Sequence, residues 1–92
     1  MNTPKKFSTT KSFDRDFEKL LRTKDGFSRK MQRLFEEVLD SPFTGGGLPE
    51  KLSGYGDRNV WSRRISEKHR MVYEVAKDEI TFLRCYGHYD DH

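Results

Sequence analysis

The chain has 92 residues, of which 36% are charged and 33% hydrophobic, and it carries a formal net charge of +3. A chain of this length is expected to make one domain, burying only roughly 60–65% of its unfolded surface, with no room for a second. The 13% aromatic content speaks for a globular rather than a disordered chain.

The mildly basic balance suits an anionic partner without requiring one. Cys85 is the only cysteine, so no internal disulfide can form and a reducing cytoplasm is expected. Met1-Asn2-Thr3-Pro4-Lys5-Lys6 is polar and leads into no apolar run of signal or membrane length. We therefore expect a cytosolic, membrane-free domain spanning 1–92, with 1–4 and 90–92 as flexible ends.

The elements follow in order. Lys5 to Thr10 reads as a short strand around Phe7. Ser12 is the expected cap of a first helix, with Asp14 and Asp16 in its first turn, where the helix dipole favours acids. Phe13, Phe17, Leu20 and Leu21 fall on one helical face. Thr23-Lys24-Asp25-Gly26 ends that helix, and Ser28 is the expected cap of a second. Phe27, Met31, Leu34, Phe35 and Val38 repeat the spacing, and Ser41-Pro42 stops it. Both stripes read as core.

Ser41 to Asn59 holds five of the seven glycines and two of the three prolines. A long glycine-rich loop in a small domain points to function or disorder. Gly45-Gly46-Gly47 lacks the Lys-Ser/Thr that a phosphate-cradling Walker loop needs, and nothing like a strand precedes it. Leu48 and Leu52 are expected to pin the loop to the core, with Glu50 between them.

Val60 to Val75 is the strongest stretch. Two runs rich in β-branched and aromatic residues flank Ser66-Glu67-Lys68, which predicts a hairpin. A three-residue loop puts Ile65 opposite His69 and Arg64 opposite Arg70. One face then carries Trp61, Ile65, Met71, Tyr73 and Val75, and the other Ser62, Arg64 and Arg70. A two-residue loop would put the arginines on opposite faces. Glu79 to Tyr86 is a last strand, apolar on both sides and so expected within the sheet. The order is β-α-α-β-β-β, an α+β fold with two helices packed on a twisted antiparallel sheet.

Metal chemistry finds little support. His88 and His92 lack a third ligand close by, as does Cys85 with His88, so neither a metal nor a cofactor is expected. Cys85 lies in a strand, where burial makes a thiol inert. Glu50, Arg64, Arg70, His88 and Tyr89 remain. The set suits metal-free cleavage of RNA. A carboxylate or imidazole takes the 2′-hydroxyl proton and an imidazole returns one to the leaving oxygen. Arginines stabilise the charge developing at phosphorus, and an aromatic stacks on a base. Each residue also has a bland alternative: Glu50 as a solvated loop carboxylate, Arg64 as a solvated strand residue, Arg70 paired with Glu74 or Glu67, His88 and Tyr89 closing the last strand.

Trp61-Ser62-Arg63-Arg64-Ile65 with His69-Arg70-Met71-Val72-Tyr73 resembles the signature hairpin of the YoeB (Txe) toxins of the RelE superfamily. Ser41-Pro42-Phe43-Thr44-Gly45, Pro49-Glu50-Lys51-Leu52 and His88-Tyr89 agree in order, while the helices agree only in pattern. The resemblance implies a RelE-like fold and the toxin of a type II toxin–antitoxin pair, a metal-independent endoribonuclease that cuts mRNA in the ribosomal A site and inhibits translation. It implies Glu50 as general base, His88 as general acid, Arg70 helped by Arg64 at the phosphate, and Tyr89 ordering the base or the site. It also implies a YefM/Phd-type antitoxin, with operator DNA reached only through it; a homodimer stays open. Asp90-Asp91-His92 extends past the family's usual end, and Ser53 stands where related toxins carry a lysine, so Lys51 and Arg58 become candidate RNA contacts. The acidic tail keeps a rival reading open: a RelE-fold protein that binds the ribosome or an antitoxin without cutting.

Overall fold

The computed structural model describes residues 6–22 and 27–87. Seven elements run in the order β1 (Lys6–Thr9), α1 (Lys11–Arg22), α2 (Phe27–Asp40), β2 (Glu50–Lys51), β3 (Val60–Arg64), β4 (Arg70–Val75) and β5 (Glu79–Arg84). The strands form one sheet in the order β1-β5-β4-β3-β2. The α+β class and the two helices layered on a sheet match the expectation. Two details differ. β1 pairs in parallel with β5, from Lys6 beside Glu79 to Thr9 beside Phe82, so the sheet is mixed. The glycine-rich loop also contributes β2, whose Glu50 and Lys51 pair with Ser62 and Trp61. A two-residue strand carries no periodicity of its own, so only its pairing reveals it.

The hairpin register is the one a three-residue loop requires. Arg64 opposes Arg70, and the Ile65 amide donates to the His69 carbonyl at 2.9 Å. The Ser66 hydroxyl accepts from the amides of Lys68 and His69, each at 3.2 Å, which closes the turn without glycine. Trp61, Ile65, Met71, Tyr73 and Val75 all face the helices, as expected. Phe82 is their centre. Phe35 stacks on it at 4.4 Å, with Phe13 at 5.4 Å and Tyr73 at 6.2 Å. From the edge strand, Phe7 reaches Phe35 at 4.8 Å.

Thr10, not Ser12, caps α1. Its hydroxyl accepts from the Phe13 amide at 3.1 Å and donates to the Leu83 carbonyl at 2.7 Å, joining helix start to β5. The strand already ends at Thr9, so the helix begins earlier than the acidic first turn suggested. Asp16 is used elsewhere, accepting from the Cys85 amide at 3.1 Å. On the α1 stripe Phe13 and Leu20 are buried, but Leu21 stays 48% exposed at the margin. On the second stripe Met31, Leu34 and Val38 are buried. α2 is already helical at Phe27, one residue before the expected Ser28 cap. The expected turn at 23–26 and the chain ends at 1–4 and 90–92 lie outside the described residues.

The sheet's other face is not simply polar. Leu52, Val60 and Val72 form a second buried cluster, with Tyr55 and Leu83 packed against it. Leu52 thus pins the loop, as expected, but beneath the outer face. Leu48 does not: it is 69% exposed, with φ at 54°. The backbone there turns left-handed directly before Pro49, a conformation a leucine adopts only at a cost.

Candidate active site on the outer face of the sheet

Strand alternation puts Ser62 and Arg64 of β3 and Arg70 and Val72 of β4 on the outer face. Glu50 pairs with Ser62 and so joins them. Neighbouring strands lie about 4.8 Å apart, which puts Glu50 one strand from Arg64 and about 10 Å laterally from Arg70.

Two like charges directly opposed repel each other. Arg64 is exposed and Arg70 is partly buried. The Arg70 guanidinium donates to the Ser66 carbonyl at 2.8 Å and, more weakly, to the His69 carbonyl at 3.4 Å. These bonds fix the head group against the hairpin turn. Among the described residues Arg70 has no ion pair, so neither Glu67 nor Glu74 neutralises it there. A guanidinium fixed by neutral carbonyls keeps its charge and further N–H donors for an anion.

Glu74 is engaged elsewhere. Arg58 grips it through two bonds at 2.8 and 3.2 Å, and the guanidinium holds the Glu74 carboxyl below the usual carboxylate range. Glu74 lies four residues along β4 from Arg70, about 13 Å away. Arg58 is therefore not brought to the Arg64–Arg70 pair. Lys51 pairs with Trp61, on the opposite side of β2 from Glu50, and is exposed. Of the expected site residues, the structure brings together Glu50, Arg64 and Arg70.

His88 and Tyr89 lie outside the described residues. The chain leading to them is held at Gly87. Its amide donates to His69 Nδ1 at 2.9 Å, and its carbonyl accepts from the Arg70 amide at 3.0 Å. His69 is buried, with the Tyr86 ring 4.5 Å away. The residue before His88 is thus bonded to the backbone of Arg70 itself.

The glycine-rich loop is built around Arg63, which the sequence reading passed over. Arg63 is fully buried on the helix side of β3. It donates to the carbonyls of Ser41, of Thr44 at 2.6 Å and of Gly46 at 3.2 Å, and to the Tyr73 hydroxyl at 3.1 Å. Glu37 lies 3.4 Å away and also accepts from the Gly46 amide at 2.8 Å. The Tyr73 hydroxyl donates onward to the Pro42 carbonyl at 2.6 Å, and burial pushes this phenol above its usual pKa. The loop's carbonyls turn in to Arg63 and Tyr73 and the Gly46 amide is taken by Glu37, an arrangement built around a buried cation rather than around a phosphate. At Gly47, φ is 80° and its carbonyl accepts from the Arg64 amide at 2.6 Å; a Cβ there would meet the Arg64 carbonyl oxygen at 2.8 Å. Glycine lets the loop touch β3 and then deliver Glu50 to the outer face. The signal that could have revealed Arg63 was its place between Trp61 and Ile65 on the core face.

Cys85 is fully buried, and burial, followed by Asp16 and Asp14, pushes its thiol far above the usual range. It is no nucleophile. Among the described residues no group of three or more possible metal ligands is gathered, and no helix is long and apolar enough to cross a membrane.

A family model for the YoeB-like toxin of bacterial type II toxin–antitoxin systems matches residues 9–89. Toxin YoeB of Mycobacterium bovis is 44% identical over 66 residues, covering 67% of this chain and 72% of its own. Among solved structures, the YoeB/ParE toxin of Agrobacterium tumefaciens superposes with a TM-score of 0.80 at 36% identity, covering 91% of this chain and 99% of its own. Staphylococcus aureus YoeB is similar both as a dimer, at 25% identity and TM-score 0.81, and in a heterotetrameric complex with YefM, at 26% and 0.75. Each covers 95% of this chain and 100% of its own. The matched segment contains the hairpin, the glycine-rich loop and every expected site residue, and the chain belongs to the YoeB-like toxins of bacterial type II toxin–antitoxin systems.

Proposed function

We propose that this toxin is a ribosome-dependent, metal-independent endoribonuclease that cuts mRNA in the A site and so stops translation. The observation that carries the reading is the opposed Arg64–Arg70 pair, which among the described residues has no carboxylate within ion-pair distance, on the face that also receives Glu50. Glu50 takes the proton of the ribose 2′-hydroxyl, whose oxygen attacks the neighbouring phosphorus. The bond to the 5′-oxygen breaks and His88 protonates the leaving group. Arg70, assisted by Arg64, stabilises the extra negative charge on the phosphoryl oxygens, which is commonly the largest single contribution. Tyr89 stacks on a substrate base. The requirement for a 2′-hydroxyl confines the reaction to RNA.

The partners follow from the family. A YefM/Phd-type antitoxin holds the toxin in check, as YefM is found with the S. aureus relative. Operator DNA is reached only through that antitoxin, the toxin works in the cytoplasm, and a homodimer is a working assembly by likeness to the S. aureus dimer.

The test is mRNA cleavage on programmed bacterial ribosomes, mapped by primer extension, with a ribosome-free control. Wild type should cut within the A-site codon only when ribosomes are present, and Arg70→Ala should abolish the cut. Cleavage of naked RNA overturns the ribosome dependence. Blocked translation with no cut supports the rival, a binder on this fold.

A further inference from the structure

We infer that Arg84 and Tyr55 form a second phosphate-binding subsite, which holds a backbone phosphate of the RNA strand next to the one at Arg64–Arg70. The inference rests on the proposed RNase reading and extends it by one contact.

The register carries it. Tyr73 opposes Phe82, yet Val72 opposes Arg84, so Leu83 is an extra residue in β5. Without that bulge Val72 would oppose Leu83, and Arg84 would oppose Met71 on the helix side. The bulge turns Arg84 outward, the kind of re-aiming that bulges near active sites perform. Arg84 now stands diagonal to Arg70, at a backbone separation of about 7–8 Å. Arg64, Arg70 and Arg84 thus occupy three neighbouring strands on one face.

The head group is positioned too. Arg84 donates to the Tyr55 hydroxyl at 3.2 Å. Tyr55 is itself held: its ring packs on Leu52, Val60 and Val72, and the Arg58 guanidinium lies 5.6 Å from its centroid. Among the described residues Arg22, Arg58 and Arg63 have carboxylates within ion-pair distance, and Arg84 does not. A half-buried guanidinium with one neutral partner retains donors for an anion. Three like charges along one face repel, and successive phosphates of one strand offset that repulsion. The competing account is that Arg84 only covers the outer apolar cluster.

Two readouts separate them. A trinucleotide with 2′-O-methyl riboses, which cannot be cut, is titrated into the toxin at several salt concentrations. Ribosome-dependent cleavage is measured in parallel against toxin concentration. Arg84→Gln should weaken trinucleotide binding about tenfold and reduce the salt dependence by about 0.7 in logarithmic slope, the share of one phosphate on a single strand. Its cleavage defect should be one that more toxin overcomes. Arg84→Lys should restore the salt slope. Binding and slope equal to wild type in a folded Arg84→Gln protein overturn the subsite while leaving the RNase reading intact. A wild type that binds the trinucleotide with this Arg84 dependence but never cuts keeps the subsite and overturns the cleavage. Absence of both binding and cleavage overturns both.

Discussion

Arg63 and Arg70 sit within one hairpin and do different things because their surroundings differ. Arg63 is buried among backbone carbonyls, so its charge is spent on architecture. Arg63→Met should leave those carbonyls unpaired beside Glu37 and cost about 3–5 kcal/mol in urea unfolding, as loss of one partner in a buried charged network does. Arg70 is pinned and, among the described residues, has no ion pair, which suits its proposed role at a phosphate. Arg58 illustrates the opposite case. Because it holds the Glu74 carboxyl below its usual range, the pair contributes stability above the ordinary glutamate pKa and loses it as pH falls through the depressed folded value. The melting-temperature gap between wild type and Arg58→Ala should therefore be widest near neutrality and close in strong acid. A gap that stays constant across that range assigns the difference to packing on Tyr55 instead.

At the scale of elements, the hairpin was legible because alternation and a three-residue polar break together leave one register that buries Trp61, Ile65, Met71, Tyr73 and Val75. The same alternation put Arg63 on the core face. It was overlooked because the acceptors that satisfy it, on Ser41, Thr44 and Gly46, come from a loop whose path no local pattern encodes. β1 gave a hint of strand but none of its parallel pairing, since four residues with one aromatic cannot specify a partner more than seventy residues away. The loop leucines were read as equivalent and are not. Leu52→Ala should cost about 2–4 kcal/mol by emptying the outer cluster. Leu48→Gly should cost nothing measurable, or stabilise slightly, because an exposed side chain is removed from a left-handed position. Both are read from denaturant midpoints, and equal losses at the two positions would refute the assignment.

Across the whole molecule the sheet separates two tasks. The helices cover one face and make the main core around Phe82. The other face is divided: the stretch after β2 folds Tyr55 over Leu52, Val60 and Val72, while Arg64 and Arg70 stand at the hairpin end with Glu50 beside them. The proposed catalytic set was nameable from the sequence only through the family resemblance, and the structure describes Glu50, Arg64 and Arg70 of it. The bulge that turns Arg84 outward was not, because a register shift becomes visible only once the strands are paired. The central claim is that Arg64 and Arg70 serve one phosphate together. It is tested most directly by single-turnover cleavage of ribosome-bound mRNA with Arg64→Ala, Arg70→Ala and the double variant. We predict that Arg70→Ala loses about a hundredfold or more, and that the double variant loses clearly less than the product of the two single losses, because both groups act on the same charge. Multiplicative losses, or cleavage by Arg70→Ala at the wild-type rate, would contradict a shared phosphate site.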